Sequence, residues 1–110
     1  MSRERLKGHL DLLLLAVLAV LAVGPAHGYA IITALRARSE GTFDLPEGTV
    51  YPALHRLEDA GLLASSWADA DGRKRRVYAL TSKGATALAA EQIGWKRFAS
   101  GVQAVLGWSA

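Results

Sequence analysis

Cysteine is absent from the 110-residue chain, which removes disulfides, thiol nucleophiles and thiolate metal sites from consideration. Histidine is scarce: His9, His27 and His55 lie far apart, with no carboxylates at a metal-binding spacing, so neither a metal site nor a cofactor is expected. The eleven glycines are scattered and form no Walker or dinucleotide-binding arrangement. Glu47, Glu58, Asp59 and Asp71 do not combine with a nucleophile and a base in a recognisable catalytic set, so an enzyme is not expected.

A membrane-length apolar run is missing too. The longest, Leu12 to Val23, has twelve residues and would span about 18 Å as a helix, against about 30 Å for a bilayer core. No membrane partner is expected. The basic MSRERLK before this run and GPAHGYA after it also fit a secretory leader, the rival reading of this end. Removing the run would cost a one-domain chain one of its few core helices, so retention and a cytoplasmic location are the expectation.

The formal charge is only +3 and the isoelectric point is near 9.6. Such a balance tolerates a nucleic-acid partner without establishing one, and placement of the charge matters more than its total. The first helix is expected over Leu6 to about Val23, closed by Gly24-Pro25. Its all-round apolarity requires cover on most sides, and Leu14, Leu15, Leu18 and Leu21 are candidate core residues. A second helix is expected over His27 to Ser39, with Tyr29, Ile32 and Leu35 near one face and Ile31 beside it. Arg36 and Arg38 near its end suit the helix dipole.

LPEGTVYPALHRLEDAGLL predicts a third helix starting at about Pro46 or Glu47, with Asp44 as an alternative cap if it starts earlier. Val50, Leu54, Leu57 and Gly61 form the inward stripe, while Thr49, Pro52, Ala53, Arg56 and Asp59 are read as lying on other faces. Tyr51, His55 and Glu58 form an edge beside that stripe, and His55 is expected to be half-buried there. Pro52 would crowd the carbonyl of residue 48, which is a glycine.

Two strands follow, Leu62 to Trp67 and Lys74 to Leu80, around Ala68 to Arg73, where Asp71-Gly72 is the clearest turn signal. Arg73, Lys74, Arg75 and Arg76 concentrate four positive charges at the second strand. Thr81 is the expected N-cap of a last helix running from Ser82 to about Gly107. Leu88, Gln92, Trp95, Ala99, Val102 and Leu106 repeat along it at spacings of four and three, widened by Phe98 and Val105. With Gly94, Ala99 and Gly101 permitting close approach, this face fits a second subunit; an intramolecular helix closing the domain is the alternative.

The expected fold is therefore mainly α with a two-stranded β wing: a winged helix-turn-helix domain over residues 1–80 and a long C-terminal dimerisation helix over 81–110. In such a fold the third helix enters a major groove and the hairpin lies along the backbone. Arg56 is its candidate charged contact, to phosphate or base, and Thr49 and Tyr51 offer hydroxyls near the helix start. Arg73, Lys74 and Arg75 are candidate phosphate contacts. A protein-interaction module without operator binding is the alternative function.

LKGHLDLLLLAVLA, GPAHGYAI, GTVYPALHRLEDAGLL, GRKRRVYALTSKG and the WKRF region together resemble the PadR family of bacterial transcriptional regulators over nearly the whole chain. The resemblance implies a homodimeric cytoplasmic repressor of dyad-symmetric, double-stranded promoter DNA, often released by a small effector. It implies DNA contact by Thr49 and Tyr51, a basic wing of Arg73, Lys74 and Arg75, a helix-two start at Gly28-Tyr29 and dimer contact around Trp95. Leu14, Leu18, Trp95, Phe98 and Val102 are the candidates for the dimer interface or for the pocket of an aromatic or hydrophobic effector. Two features depart from the family pattern. The first helix is about one turn longer before GPAHGY, and Pro46 stands where a capping serine is common.

Overall fold

The computed structural model describes residues 12–70 and 72–107. The expected beginning of the first helix at Leu6, together with His9 and the turn residue Asp71, lies outside the described residues. The elements run α1 (Leu12–Leu21), β1 (Ala26–His27), α2 (Gly28–Arg38), α3 (Glu47–Asp59), β2 (Leu63–Ala70), β3 (Arg73–Leu80) and α4 (Ser82–Leu106).

α1 is apolar on every side, so periodicity could not phase it; its neighbours α2, α3, β3 and α4 do. Val17, Leu18, Val20 and Leu21 are buried, whereas Leu14 and Leu15 are only half-buried. Ile31 and Leu35 from α2, Val50, Leu54 and Leu57 from α3, Leu63, Tyr78 and Leu88 complete the core. α2 begins one residue later than expected because His27 is its N-cap: the ring Nδ1 accepts from the Ala30 amide at 3.2 Å.

The carbonyl of Pro46 takes over the start of α3, accepting from the amides of Thr49 at 3.0 Å and Val50 at 3.1 Å. Pro46 is the N-cap and supplies no side-chain bond, so the Asp44 alternative is not used. Ala53 corrects the sequence reading, since it is fully buried. At about 100° per residue it falls only about 60° from Val50, inside the apolar stripe. Gly61, at a φ of 79°, closes the helix, and the Leu62 amide reaches back to the Leu57 carbonyl at 2.9 Å.

β2 and β3 pair antiparallel from Leu63 opposite Leu80 to Ala70 opposite Arg73. β2 ends and β3 begins nearer the tip than expected, and Gly72, just before β3, has a φ of 75°. β1 adds a third strand in the order β1-β3-β2, with Ala26 opposite Tyr78 and His27 opposite Val77. Two residues carry no alternation pattern, so this strand had no local signature.

Thr81 caps α4 and also ties it to the preceding elements. Its Oγ1 accepts from the Gly84 amide at 3.0 Å and donates to the Gly61 carbonyl at 2.7 Å, while Lys83 Nζ donates to the Ala60 carbonyl at 2.8 Å. Only Gly84 and Leu88 of α4 are buried in the protomer. Beyond them the helix leaves the domain with Ile93, Trp95, Val102, Val105 and Leu106 exposed.

Tyr78 is 1% exposed, and burial pushes its phenol above the ordinary value of 10.0; nearby Arg76 opposes the shift, and Glu58 and Tyr51 add to it. The folded state thus favours the protonated phenol. Its contribution is complete below the unfolded value near 10 and declines as pH rises from there through the higher folded value. Chemical denaturation of Tyr78→Phe and the native chain at pH 8 to 11 should show a steeper alkaline loss in the native chain.

Candidate nucleic-acid interface

The buried stripe of α3 fixes which side faces outward. Thr49 and Arg56 are seven residues apart, two helical turns, and lie on one exposed side with Pro52 between them. Arg56 also occupies the last turn and Glu47 the first, each with the charge that suits the dipole there.

Tyr51 is placed differently from Thr49. It is half-buried, its phenol lying over Gly28 so closely that a Cβ there would come within 2.6 Å of Tyr51 Cε1 and Cζ. Gly28 therefore permits α2 to begin directly against the ring. His55 is exposed, not half-buried as expected; on α3, Tyr51 and Glu58 are the edge residues that pack.

The four basic residues of the hairpin divide into three kinds. Arg73 and Lys74 are exposed on the outer part of β3. Arg75 is half-buried, with Nη1 at 3.4 Å from His27 Nε2. Whether Nε2 accepts from Arg75 in this pairing depends on the tautomer of the imidazole, whose Nδ1 accepts from the Ala30 amide. Arg76 is engaged within the protomer: Nε donates to Ser65 Oγ at 2.8 Å, Nη2 lies 3.6 Å from Glu58 Oε2, and the guanidinium sits over Trp67. The sequence grouped Arg76 with its neighbours; strand alternation would separate it from Arg75, but its partners on α3 and β2 had no local signal.

Of the residues assigned to a dimer interface or effector pocket, Leu18 belongs to the protomer's own core and Leu14 is half-buried. Trp95 and Val102 are exposed on α4, and Phe98 is half-buried with its ring centroid 5.7 Å from that of Trp95. Among the described residues no helix is long and apolar enough to cross a membrane, and no group of three His, Asp or Glu side chains could hold a metal.

Residues 17–90 match the transcriptional regulator PadR-like family. Transcriptional regulator Rv3488 of Mycobacterium tuberculosis is 58% identical over 41 residues, a stretch covering 37% of this chain and 38% of that protein. A PadR family transcription regulator from Clostridium difficile R20291 superposes with a TM-score of 0.74 at 30% identity, covering 86% of this chain and 96% of its own. A PadR-like transcriptional regulator from Bacillus cereus gives 0.77 at 25% identity, with 96% and 99% covered.

Proposed function

This chain belongs to the PadR-like family of transcriptional regulators, and from that premise we propose that it is a sequence-specific DNA-binding repressor acting as a homodimer in the cytoplasm. The observation that carries the proposal is the exposed side of α3, Thr49 and Arg56, followed along the chain by a hairpin whose second strand presents Arg73 and Lys74 near its tip. In this reading α3 enters the major groove and the hairpin follows the backbone. Arg75 extends the phosphate-binding surface, and Tyr51 acts from its seat beside Gly28. The exposed apolar side of α4 pairs with a second copy, setting the two heads on half-sites about 34 Å apart.

A small aromatic or hydrophobic effector would act where α1 and α4 of the two subunits meet, around Leu14, Trp95, Phe98 and Val102. To release DNA it must bind the DNA-competent and incompetent spacings with different affinity.

Selection of bound duplexes from a random pool, followed by competition over a salt series, tests the proposal. The expected result is enrichment of one inverted repeat. Arg56→Ala should weaken binding to it by about tenfold or more without changing the dimer. A folded dimer that enriches no sequence would refute sequence-specific repression and favour a protein-interaction module.

A further inference from the structure

The hairpin departs from the domain early. Leu63 and Tyr78 are buried at its base, whereas Ser66 to Asp69 and Gly72 to Lys74 are exposed. A two-stranded ribbon projecting into solvent is a weak platform for positioning charge, because isolated hairpins are marginally stable. Something must set its angle to α3 if both are to meet one duplex together.

One cluster lies at the point of departure. Glu58, on the last turn of α3, accepts a hydrogen bond from Ser65 Oγ on β2. Ser65 accepts in turn from Arg76 Nε on β3 at 2.8 Å. Arg76 Nη2 returns to the same Glu58 oxygen at 3.6 Å. On the other side the guanidinium lies 5.4 Å from the ring centroid of Trp67, its cross-strand partner. The single Ser65 proton goes to the carboxylate and its lone pair receives the arginine, so the roles are mutually consistent. A helix and both wing strands are thus joined through one planar cation.

We propose that Glu58 and Arg76 are positioning residues that lock the wing to the recognition helix, so that Arg73, Lys74 and Arg75 are held ready for the phosphates flanking the site α3 reads. The inference rests on the DNA-binding reading for its consequence, but the lock itself belongs to the DNA-free protein. Arg76 has a different duty from the three basic residues before it. Its charge is spent inside the protomer, and the exposed Trp67 serves as the plate against which its guanidinium is held. An isolated surface ion pair would contribute little order; one donor fork engaging a hydroxyl, a carboxylate and an aromatic face fixes a geometry. Lysine offers a point charge in place of that planar fork, so it cannot replace arginine here.

The absence of cysteine makes the test direct. Cysteines introduced at Thr33 on α2 and Ala68 on β2, both exposed positions, are spin-labelled in the full chain, mixed with an excess of unlabelled chain so that only distances within one protomer are read, and the distance distribution is measured without DNA. The expected result is a narrow distribution that broadens in Glu58→Gln, Arg76→Gln and Arg76→Lys alike, each retaining a cooperative thermal transition. On the selected duplex these variants should lose about tenfold in affinity, as if roughly one residue's backbone had to be ordered on binding. Their salt slope should stay unchanged, because no phosphate contact is removed.

An unbroadened distribution in the variants would overturn the lock. So would native affinity in Arg76→Lys combined with a reduced salt slope in Arg76→Gln, which would make Arg76 a phosphate contact. Broadening with undiminished affinity would overturn the positioning role. If the native chain binds no duplex, the proposed function fails and the positioning role with it, while the distance measurement still decides the lock.

Discussion

Replacing Arg73, Lys74 and Arg75 together by glutamine is expected to lower affinity for the selected duplex by about two to three orders of magnitude at ~0.1 M salt. In a dimer the change removes six charges, three from each protomer. Each phosphate contact contributes about 0.9 to the slope of log affinity against log salt, so the slope should fall by up to about 5. Preference among duplex sequences should narrow little, because phosphate contacts orient the protein and carry no direct sequence information. Arg73 and Lys74 are exposed and contribute nothing to the core, so the thermal transition should be nearly unchanged. Single variants should rank by access: Arg75→Gln has the smallest effect, since Arg75 is half-buried beside His27. Competition binding over a salt series measures affinity, slope and sequence preference, and thermal denaturation measures the transition. An unchanged slope would remove the hairpin from the interface.

Whether a feature was legible from sequence depended on how far apart along the chain its residues lie. The inward stripe Val50, Leu54 and Leu57 and the Thr81 cap are local signals, readable within one helix or one turn, and each guided an element now present. The order of elements follows from such signals, and the family from the resemblance of five segments to its members. Features that depend on chain segments far apart were not readable. β1 exists only because Ala26 and His27 meet Tyr78 and Val77, about half the chain away. The engagement of Arg76 depends on Glu58 and Ser65, residues in two other elements. The faces of α1 could not be told apart because Leu14 and Leu18 have equal hydrophobicity, and only packing buries the second. Ala53 is a different case, since its angle on the helix was available from sequence and was misread as outward.

Gly84→Val should be the most destabilising single change, lowering stability by at least about 3 kcal/mol and the melting temperature by about 15 °C. Helix propensity alone would judge otherwise, because Gly84 lies in the first turn of α4 and glycine is a poor helix residue. The surroundings reverse that sign. A Cβ at Gly84 would overlap the Leu62 carbonyl oxygen and fall 2.8 Å from Leu80 Cδ1. The carbonyl is backbone and cannot rotate away, and it already accepts from the Thr81 amide at 3.1 Å. Relief therefore requires α4 to retreat from the start of β2, straining the Thr81 and Lys83 bonds that fasten it to the end of α3. Gly94 and Gly101 supply the internal control on the same helix, because a Cβ at either meets nothing within 4 Å in the protomer. Alanine at those positions should favour the helix by about 1 kcal/mol if that side is solvated. If Gly94 and Gly101 instead allow a second copy to approach closely, the same alanines should weaken dimerisation while Gly84→Val destabilises the domain by the same amount at any concentration. Denaturation at several protein concentrations separates the two effects: loss of stability that ignores dilution belongs to the junction at Gly84, and loss that grows with dilution belongs to the outer face of α4.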